Sequence, residues 1–297
     1  MTREIRIGIS GWAYPGWRGR FYPKNLPQRR FLEFASRKLG SIEINASFYA
    51  LQRPSTYRRW YETTPDDFIF AVKGSRFITH NKKLDDVEQP LANFFASGLL
   101  RLEEKLGPIL WQLPPSLHFD AERFRRFLEL LPTRTREAAD LAREHDRRLE
   151  GRAWTHVQQD RRIRYAFEVR HESFLVPEFA DLLRRHHAAL VFADTGGRYP
   201  YCEEVTADFV YVRLHGSPVL YASRYTDDRL DAWAEQIRAW HTGSTPPDSP
   251  RLTDRPPPGS AGRDVYVYFD NDARGHAPFD ALRLAERLGI APPADSD

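Results

Sequence analysis

The sequence holds a single cysteine, Cys202, among 297 residues. An intrachain disulfide is therefore impossible, and a zinc site built on several thiolates is excluded. No apolar run comes near the ~20 residues that a membrane-spanning helix needs, so no membrane partner is expected. There is no HExxH, and Asp272-Ala273-Arg274-Gly275 lacks the spacing of a glycine-rich nucleotide loop. No helix-turn-helix, RRM or zinc-finger pattern marks a dedicated nucleic-acid module. A dominant charge is also missing: 44 basic against 41 acidic side chains leave a net +3, which names no acidic partner. Met1-Thr2-Arg3-Glu4-Ile5 runs straight into a strand pattern, so no secretory leader is expected and a reducing cytoplasm is the default compartment. What is present, 41% hydrophobic and 29% charged, is the composition of a folded globular chain.

Eight short segments rich in β-branched and aromatic residues read as strands: Ile5–Trp12, Ser41–Tyr49, Phe68–Ser75, Leu106–Leu113, Tyr165–His171, Ala188–Thr195, Phe209–Gly216 and Val265–Asp272. Most are separated by helical periodicity, at Leu26–Lys38, Pro54–Tyr61, Leu91–Lys105, Ala121–Leu131, Pro177–His186, the stretch after the cap Thr226, and Pro278–Leu288. Between Gly196 and Asp208 there is room for only a short helix or none. Such alternation implies parallel strands joined by crossovers, in an open sheet or a closed (β/α)8 barrel. Central strands of an open sheet are apolar on both faces. Here one parity is polar: Ile42 and Ile44 alternate with Glu43 and Asn45, and Val212 and Leu214 with Arg213 and His215. The expectation is a single-domain TIM barrel over residues 1–297.

Two segments look added. The first, about 133–164, is dense in charge and includes a solvated helix over Thr135–Glu150, with a basic contact surface as its functional alternative. The second, 242–263, holds six prolines and reads as a flexible loop. Both lie between a helix and the next strand and are expected to project from the N-terminal end of the barrel, away from the face where barrels bind ligands.

That face is built from the strand ends. The inward parity supplies Trp12, Glu43, Asn45, Ser47, Lys73, Ser75, Gln112, Glu168, Arg170, Arg213, His215, Tyr268 and Asp270. Asp194 closes the sixth strand on a face that the pattern leaves undecided. Charges inside a barrel are costly unless paired or binding something. The alternatives are an internal salt-bridge network and a functional site. As a site, Glu43, Lys73, Glu168, His215 and Asp270 are the catalytic candidates. Trp12, Asn45, Gln112, Arg170, Asp194, Arg213, Tyr268 and Asn271 are the ligand-binding candidates. Lys73 suits an anion clamp or, if desolvation lowers its pKa, a base or Schiff-base nucleophile; paired with Glu43 and Glu168 it would stay protonated and clamp an anion together with Arg170, Arg213 and His215. Glu43, Glu168, Asp194, Asp270 and His215 carry donor types suited to Mg²⁺ or Mn²⁺, but no spacing motif marks a metal site and none is assigned. The loops after strands one, three and seven are aromatic and basic, which suits bases and phosphates, or a packed lid.

Taken together these stretches resemble the DUF72, or YecE-like, family: GISGWAYPGWRGRFYP (8–23), SIEINASFY (41–49), KGSRFITHNKKL (73–84), QLPP (112–115), EVRHESF (168–174), FVYVRLHG (209–216), SRYTDDRLDAW (223–233) and YVYFDNDARGHAPFDA (266–281). The resemblance implies a TIM barrel of unestablished function, with a suggested likeness to barrel endonucleases that repair DNA. YFDND stands where many members have YFNND. Three functions are therefore expected to compete. The first is an enzyme-like pocket, such as a hydrolase's, for an anionic, phosphate-bearing small molecule. The second is a nucleic-acid-binding or phosphodiester-cleaving protein, and the third a non-catalytic binding protein.

Overall fold

The structure is a computed structural model and describes residues 3–217 and 219–293. Eight parallel strands close into a barrel in sequence order, β8 pairing back onto β1. They are β1 (Ile5–Ser10), β2 (Ser41–Ile44), β3 (Ile69–Lys73), β4 (Leu106–Gln112), β5 (Tyr165–Glu168), β6 (Ala189–Asp194), β7 (Phe209–Leu214) and β8 (Asp264–Phe269). The helices are α1 (Phe31–Ser36), α2 (Ala46–Tyr49), α3 (Pro54–Thr63), α4 (Glu88–Ala96), α5 (Ala121–Leu130), α6 (Thr135–Arg143), α7 (Pro177–Arg185), α8 (Asp227–His241) and α9 (Ala277–Arg287). No described helix separates β6 from β7. None of the described helices is long and apolar enough to cross a membrane.

The alternation within the strands sets the two cores. Ile9, Ile42, Val72, Trp111, Phe167, Phe192, Val212 and Phe269 face the helices and join one large apolar core. The opposite parity fills the barrel with Ala71, Leu110, Ala166, Val191, Tyr211 and Tyr268. Above these, toward the C-terminal ends of the strands, the interior turns polar. This is the architecture that the strand faces predict.

Some expected elements break where a glycine requires a left-handed backbone. The helix read as Leu91–Lys105 ends at Ala96, because Gly98 at φ +111 turns the chain into a 3-10 segment, Leu99–Lys105. A side chain at Gly98 would also strike the backbone of Pro54.

Both additions differ from expectation. Helix α6 is not a fully solvated helix: Ala138, Ala139 and Ala142 are buried in the apolar core. Its first turn is tied down by Glu137 Oε2, which accepts from the Thr133 amide at 2.7 Å, and by Asp160, which accepts from the Arg136 amide at 3.1 Å. The chain then returns along α4, with the Trp154 amide donating to the Ala96 carbonyl at 2.8 Å. The addition thus covers a flank of the barrel rather than projecting from one end.

The proline-rich segment is held in place, not loose. Arg263 is fully buried and donates to the carbonyls of Pro258 (2.7 Å), Ser244 (2.8 Å) and Trp240 (3.2 Å). The buried carboxylates of Glu203 and Glu204 accept from the Ser249 hydroxyl and from the Leu252 and Thr253 amides. These buried charges, invisible in composition, stitch the segment to the chain between β6 and β7.

Candidate functional site

The upper interior is organised around Arg213. Its side chain has no exposed surface, and neither does that of Glu43, to which it donates from Nε (3.1 Å) and Nη2 (2.8 Å). Nη1 donates to Glu168 Oε2 at 2.5 Å and Nη2 to Asp270 Oδ2 at 2.9 Å. One planar fork therefore serves carboxylates from three strand ends, β2, β5 and β8. Each carboxylate has further support. Glu43 accepts from the hydroxyls of Tyr211 (2.6 Å) and Ser10 (2.5 Å), and Glu168 accepts from Arg170 Nε at 2.8 Å. His215, also buried, has Nδ1 3.0 Å from Asp270 Oδ2 and Nε2 3.7 Å from Glu168 Oε2.

The electrostatics follow from this packing. Burial alone would raise the carboxyl of Asp270, but Arg213 and His215 outweigh it and hold it at about 2. Burial likewise opposes the ionised form of Glu168, and Arg170 and Arg213 carry it well below the usual carboxylate range. Both acids are ionised at neutral pH.

Over this floor lies a cavity of about 560 Å³, lined by Tyr14, Asn45, Phe48, Tyr49, Lys73, Arg76, His80, Gln112, Arg170, Tyr221, Asp270 and Asp272. Lys73 closes β3 and is the central cation of this wall. The expected pairing of Lys73 with Glu43 and Glu168 does not occur: among the described residues no carboxylate lies within ion-pairing distance of its Nζ, because Arg213 and Arg170 have taken both acids. Its recorded contact is the face of the Phe48 ring, 4.3 Å from the ammonium. Burial, followed by the charge of Arg213, pulls its pKa down to about 8. His80 accompanies it, with Nδ1 2.8 Å from Thr79 Oγ1 and Nε2 3.4 Å from the Gln112 amide. Burial and then Lys73 lower His80 to about 4, so it is neutral at pH 7.

The sequence-derived candidates divide into three groups. Lys73, Asn45, Gln112, Arg170 and Asp270 line the cavity. Glu43, Glu168, Arg213 and His215 come together beneath it; Arg213 is buried with its donors engaged, so it is not free to clamp an anion, and His215 is buried with Nδ1 beside Asp270. The remaining four lie elsewhere. Trp12 packs against Trp60 and Phe70 on the helix side, because Gly11 at φ +82 ends the alternation one residue earlier. Asp194 faces away from the barrel axis, where it accepts from Tyr225 (3.1 Å) and Arg229 (3.2 Å) and lines a separate cavity beside α8. Tyr268 does point inward, but it is fully buried below the charged layer, 2.7 Å from Ser41 Oγ. Asn271 is on the parity opposite Asp270 and donates to the Ser223 carbonyl and to Asp280, fastening the loop after β7 to α9.

No three of the described His, Cys, Asp and Glu residues form a group that could hold a metal ion. The set expected for Mg²⁺ or Mn²⁺ fails for a visible reason: Asp194 is on the wrong face, and Glu43, Glu168 and Asp270 are engaged by Arg213. The aromatic loop after β1 is mostly a packed lid, with Trp17, Phe21 and Tyr22 buried against one another and Phe31. Tyr14, Arg76, His80 and Tyr221 are cavity residues that strand parity could not reveal; their only signal was their place in the loops just after strands, whereas Asp272 shares the inward parity of Tyr268 and Asp270 and is not among the sequence-derived candidates.

Fold and interior together define a (β/α)8 barrel with an arginine-centred ion network beneath an open polar mouth. The chain belongs to the family described as "Protein of unknown function DUF72", which it matches over residues 6–296. It is 24% identical to the UPF0759 protein YecE of Escherichia coli O157:H7 over 246 residues, 82% of this chain and 84% of that one. Its match to the UPF0759 protein YunF of Bacillus subtilis (strain 168) is 31% over 116 residues, spanning 37% of this chain and 40% of that protein. A DUF72 family protein from Thermotoga maritima superposes with a TM-score of 0.72 at 24% identity, covering 97% of this chain and 100% of that one. One from Enterococcus faecalis gives 0.68 at 16% identity, covering 99% and 100%. At these identities the solved structures speak to the fold alone.

Proposed function

We propose that the mouth of the barrel binds a small anionic molecule, bearing a phosphate or a carboxylate, and that Lys73, Arg76 and Arg170 hold it. One observation carries this reading: Lys73 lines the cavity as a cation that, among the described residues, has no acid within ion-pairing distance, while the acids beneath are engaged by arginine. A bound anion would supply the missing counter-charge. If the bound molecule reacts, as in a hydrolase, Asp270 and the neutral imidazole of His80 are the proton acceptors facing it. Burial withdraws Trp17, Phe21 and Tyr22 of the loop after β1 from stacking on a nucleic-acid strand. A cytoplasmic setting belongs to the same proposal and rests on the single, buried Cys202.

Calorimetric titration with inorganic phosphate tests the reading on the wild type and on Lys73→Met. Saturable binding at millimolar phosphate is expected, weakened about tenfold or more in the variant, the scale of one lost charge-assisted contact of roughly 1.5–3 kcal/mol. Absence of saturable binding to the wild type refutes it. Binding of an oligonucleotide that falls steeply with added salt would favour the nucleic-acid alternative.

A further inference from the structure

We propose that the amine of Lys73 is a nucleophile that forms a Schiff base with a small oxo acid held in the mouth of the barrel. The inference rests on the anion reading of the same cavity, because Arg76 and Arg170 would hold the acid group while Lys73 meets the carbonyl carbon.

The contrast with Lys105 separates a nucleophile from a structural lysine. Both amines are buried. Lys105 Nζ donates to the carbonyls of Tyr61 and Thr64, each at 2.7 Å, and to Thr64 Oγ1 at 3.3 Å, which uses all three ammonium donors. Lys73 Nζ donates to no protein acceptor among the described residues; its neighbour is the Phe48 ring, and it faces an open cavity. An amine with unclaimed protons next to a cation can shed one without breaking a hydrogen bond. Burial and Arg213 favour that loss, with a pKa of about 8. At pH 7 its free-base fraction exceeds that of an ordinary lysine amine by roughly 200-fold.

The neighbours suit the chemistry. Tyr221 accepts from Arg170 Nη2 at 3.3 Å, and no described group accepts the proton of its own hydroxyl. Asp270 lines the cavity and is held through Oδ2, and among the described residues no donor reaches its Oδ1. In the step, the amine lone pair forms a C–N bond to the carbonyl carbon and the C=O electrons move to oxygen, which takes a proton from Tyr221. The nitrogen gives up a proton to Asp270. The nitrogen lone pair then expels the hydroxyl as water, using the proton that Asp270 had taken, and leaves an iminium whose charge is matched by the Tyr221 phenolate. The sum is amine, carbonyl and phenol to iminium, water and phenolate, and no oxidant or reductant is consumed. The iminium is an electron sink for a bond broken beside the former carbonyl.

The chain has only six lysines, so few amines compete. The test is reductive trapping of the wild type with glyoxylate and cyanoborohydride at neutral pH, followed by peptide mapping. A carboxymethyl group on Lys73, formed at least tenfold faster than on Lys24 or Lys38 and slowed by inorganic phosphate, is expected. Lys73→Arg should lose the adduct. Phosphate binding without preferential modification of Lys73 overturns this proposal and leaves the anion reading standing. Preferential modification without phosphate binding upholds the nucleophile and removes the anion reading. The wild-type map decides even where a variant does not fold.

Discussion

Replacing Arg213 with methionine keeps an unbranched side chain in the barrel and removes the guanidinium. Glu43 would keep Ser10 and Tyr211, and Glu168 would keep Arg170. Among the described residues Asp270 would keep His215, 3.0 Å away, and the more distant charge of Lys73. Stranding a buried carboxylate by removing its partner costs roughly 3–5 kcal/mol, a large share of the ~5–15 kcal/mol that holds a typical domain folded. A distinctive pH signature should accompany the loss. In the wild type Asp270 is held at about 2, below its unfolded value, so its contribution is fully present above about pH 4 and disappears as pH falls toward 2. In the variant, burial is no longer outweighed and the folded-state pKa of Asp270 should rise above its unfolded value. Stability then declines as pH rises from about 4 to 7, where the wild type is flat in this group. Denaturant unfolding followed by tryptophan fluorescence, at pH values near 4.5 and 7.5, reads both effects. A loss under about 1 kcal/mol, or a gap that does not widen toward neutral pH, would refute the account of the interior as a charge network held by one arginine.

Three further outcomes are expected. Arg263→Met should expose the 242–263 segment to limited proteolysis and lower stability by about 1–3 kcal/mol, because buried carbonyls lose their donor; cleavage at the wild-type rate would contradict the docking role. Trp12→Ala should cost about 3 kcal/mol in unfolding experiments while phosphate affinity stays unchanged, since the indole packs on Trp60 and Phe70 away from the mouth. Phosphate affinity should decline as pH rises through about 8, where Lys73 loses its charge, and the decline should vanish in Lys73→Arg; a wild-type profile that is flat in titrations across that range would remove Lys73 from the anion site.

The barrel was legible because its strands are polar on one face, and a two-residue period transmits that fact without any knowledge of contacts. The errors fall where that period stops. Gly11 adopts φ +82, so Trp12 inherits the wrong face although its number has the right parity. Asn271 follows Asp270 directly and must face the other way, an inference that alternation itself supports and that the motif YFDND obscures. The alanines of α6 at 138, 139 and 142 form an apolar stripe in the sequence, hidden by the charges around them. The docking of the proline-rich segment had no local signal at all. It depends on Arg263 within the segment and on the adjacent pair Glu203 and Glu204 well before it, all ordinary in composition.

Pairing within the site was illegible for a deeper reason. Inward-facing acids and bases can be enumerated from parity, but who pairs with whom is decided by shape. A guanidinium presents five donors in a plane and can serve several carboxylates at once, whereas an ammonium is a point charge on a flexible stem. Arg213 sits where the carboxylates of β2, β5 and β8 converge, and it takes all three. Among the described residues Lys73 is left without an ion-paired acid, and burial followed by the charge of Arg213 lowers its proton affinity against the weaker opposing pull of Glu43, Asp270 and Glu168. A network needed only to fill the barrel could be replaced by apolar side chains at little cost or even a gain in stability. The arrangement has a second effect that apolar filling could not provide: by binding the neighbouring acids, Arg213 withholds them from Lys73. The unpaired amine and the ion network are therefore two sides of one arrangement. A substitution that frees Glu43 or Glu168 from Arg213 should change the chemistry of Lys73 even without touching it.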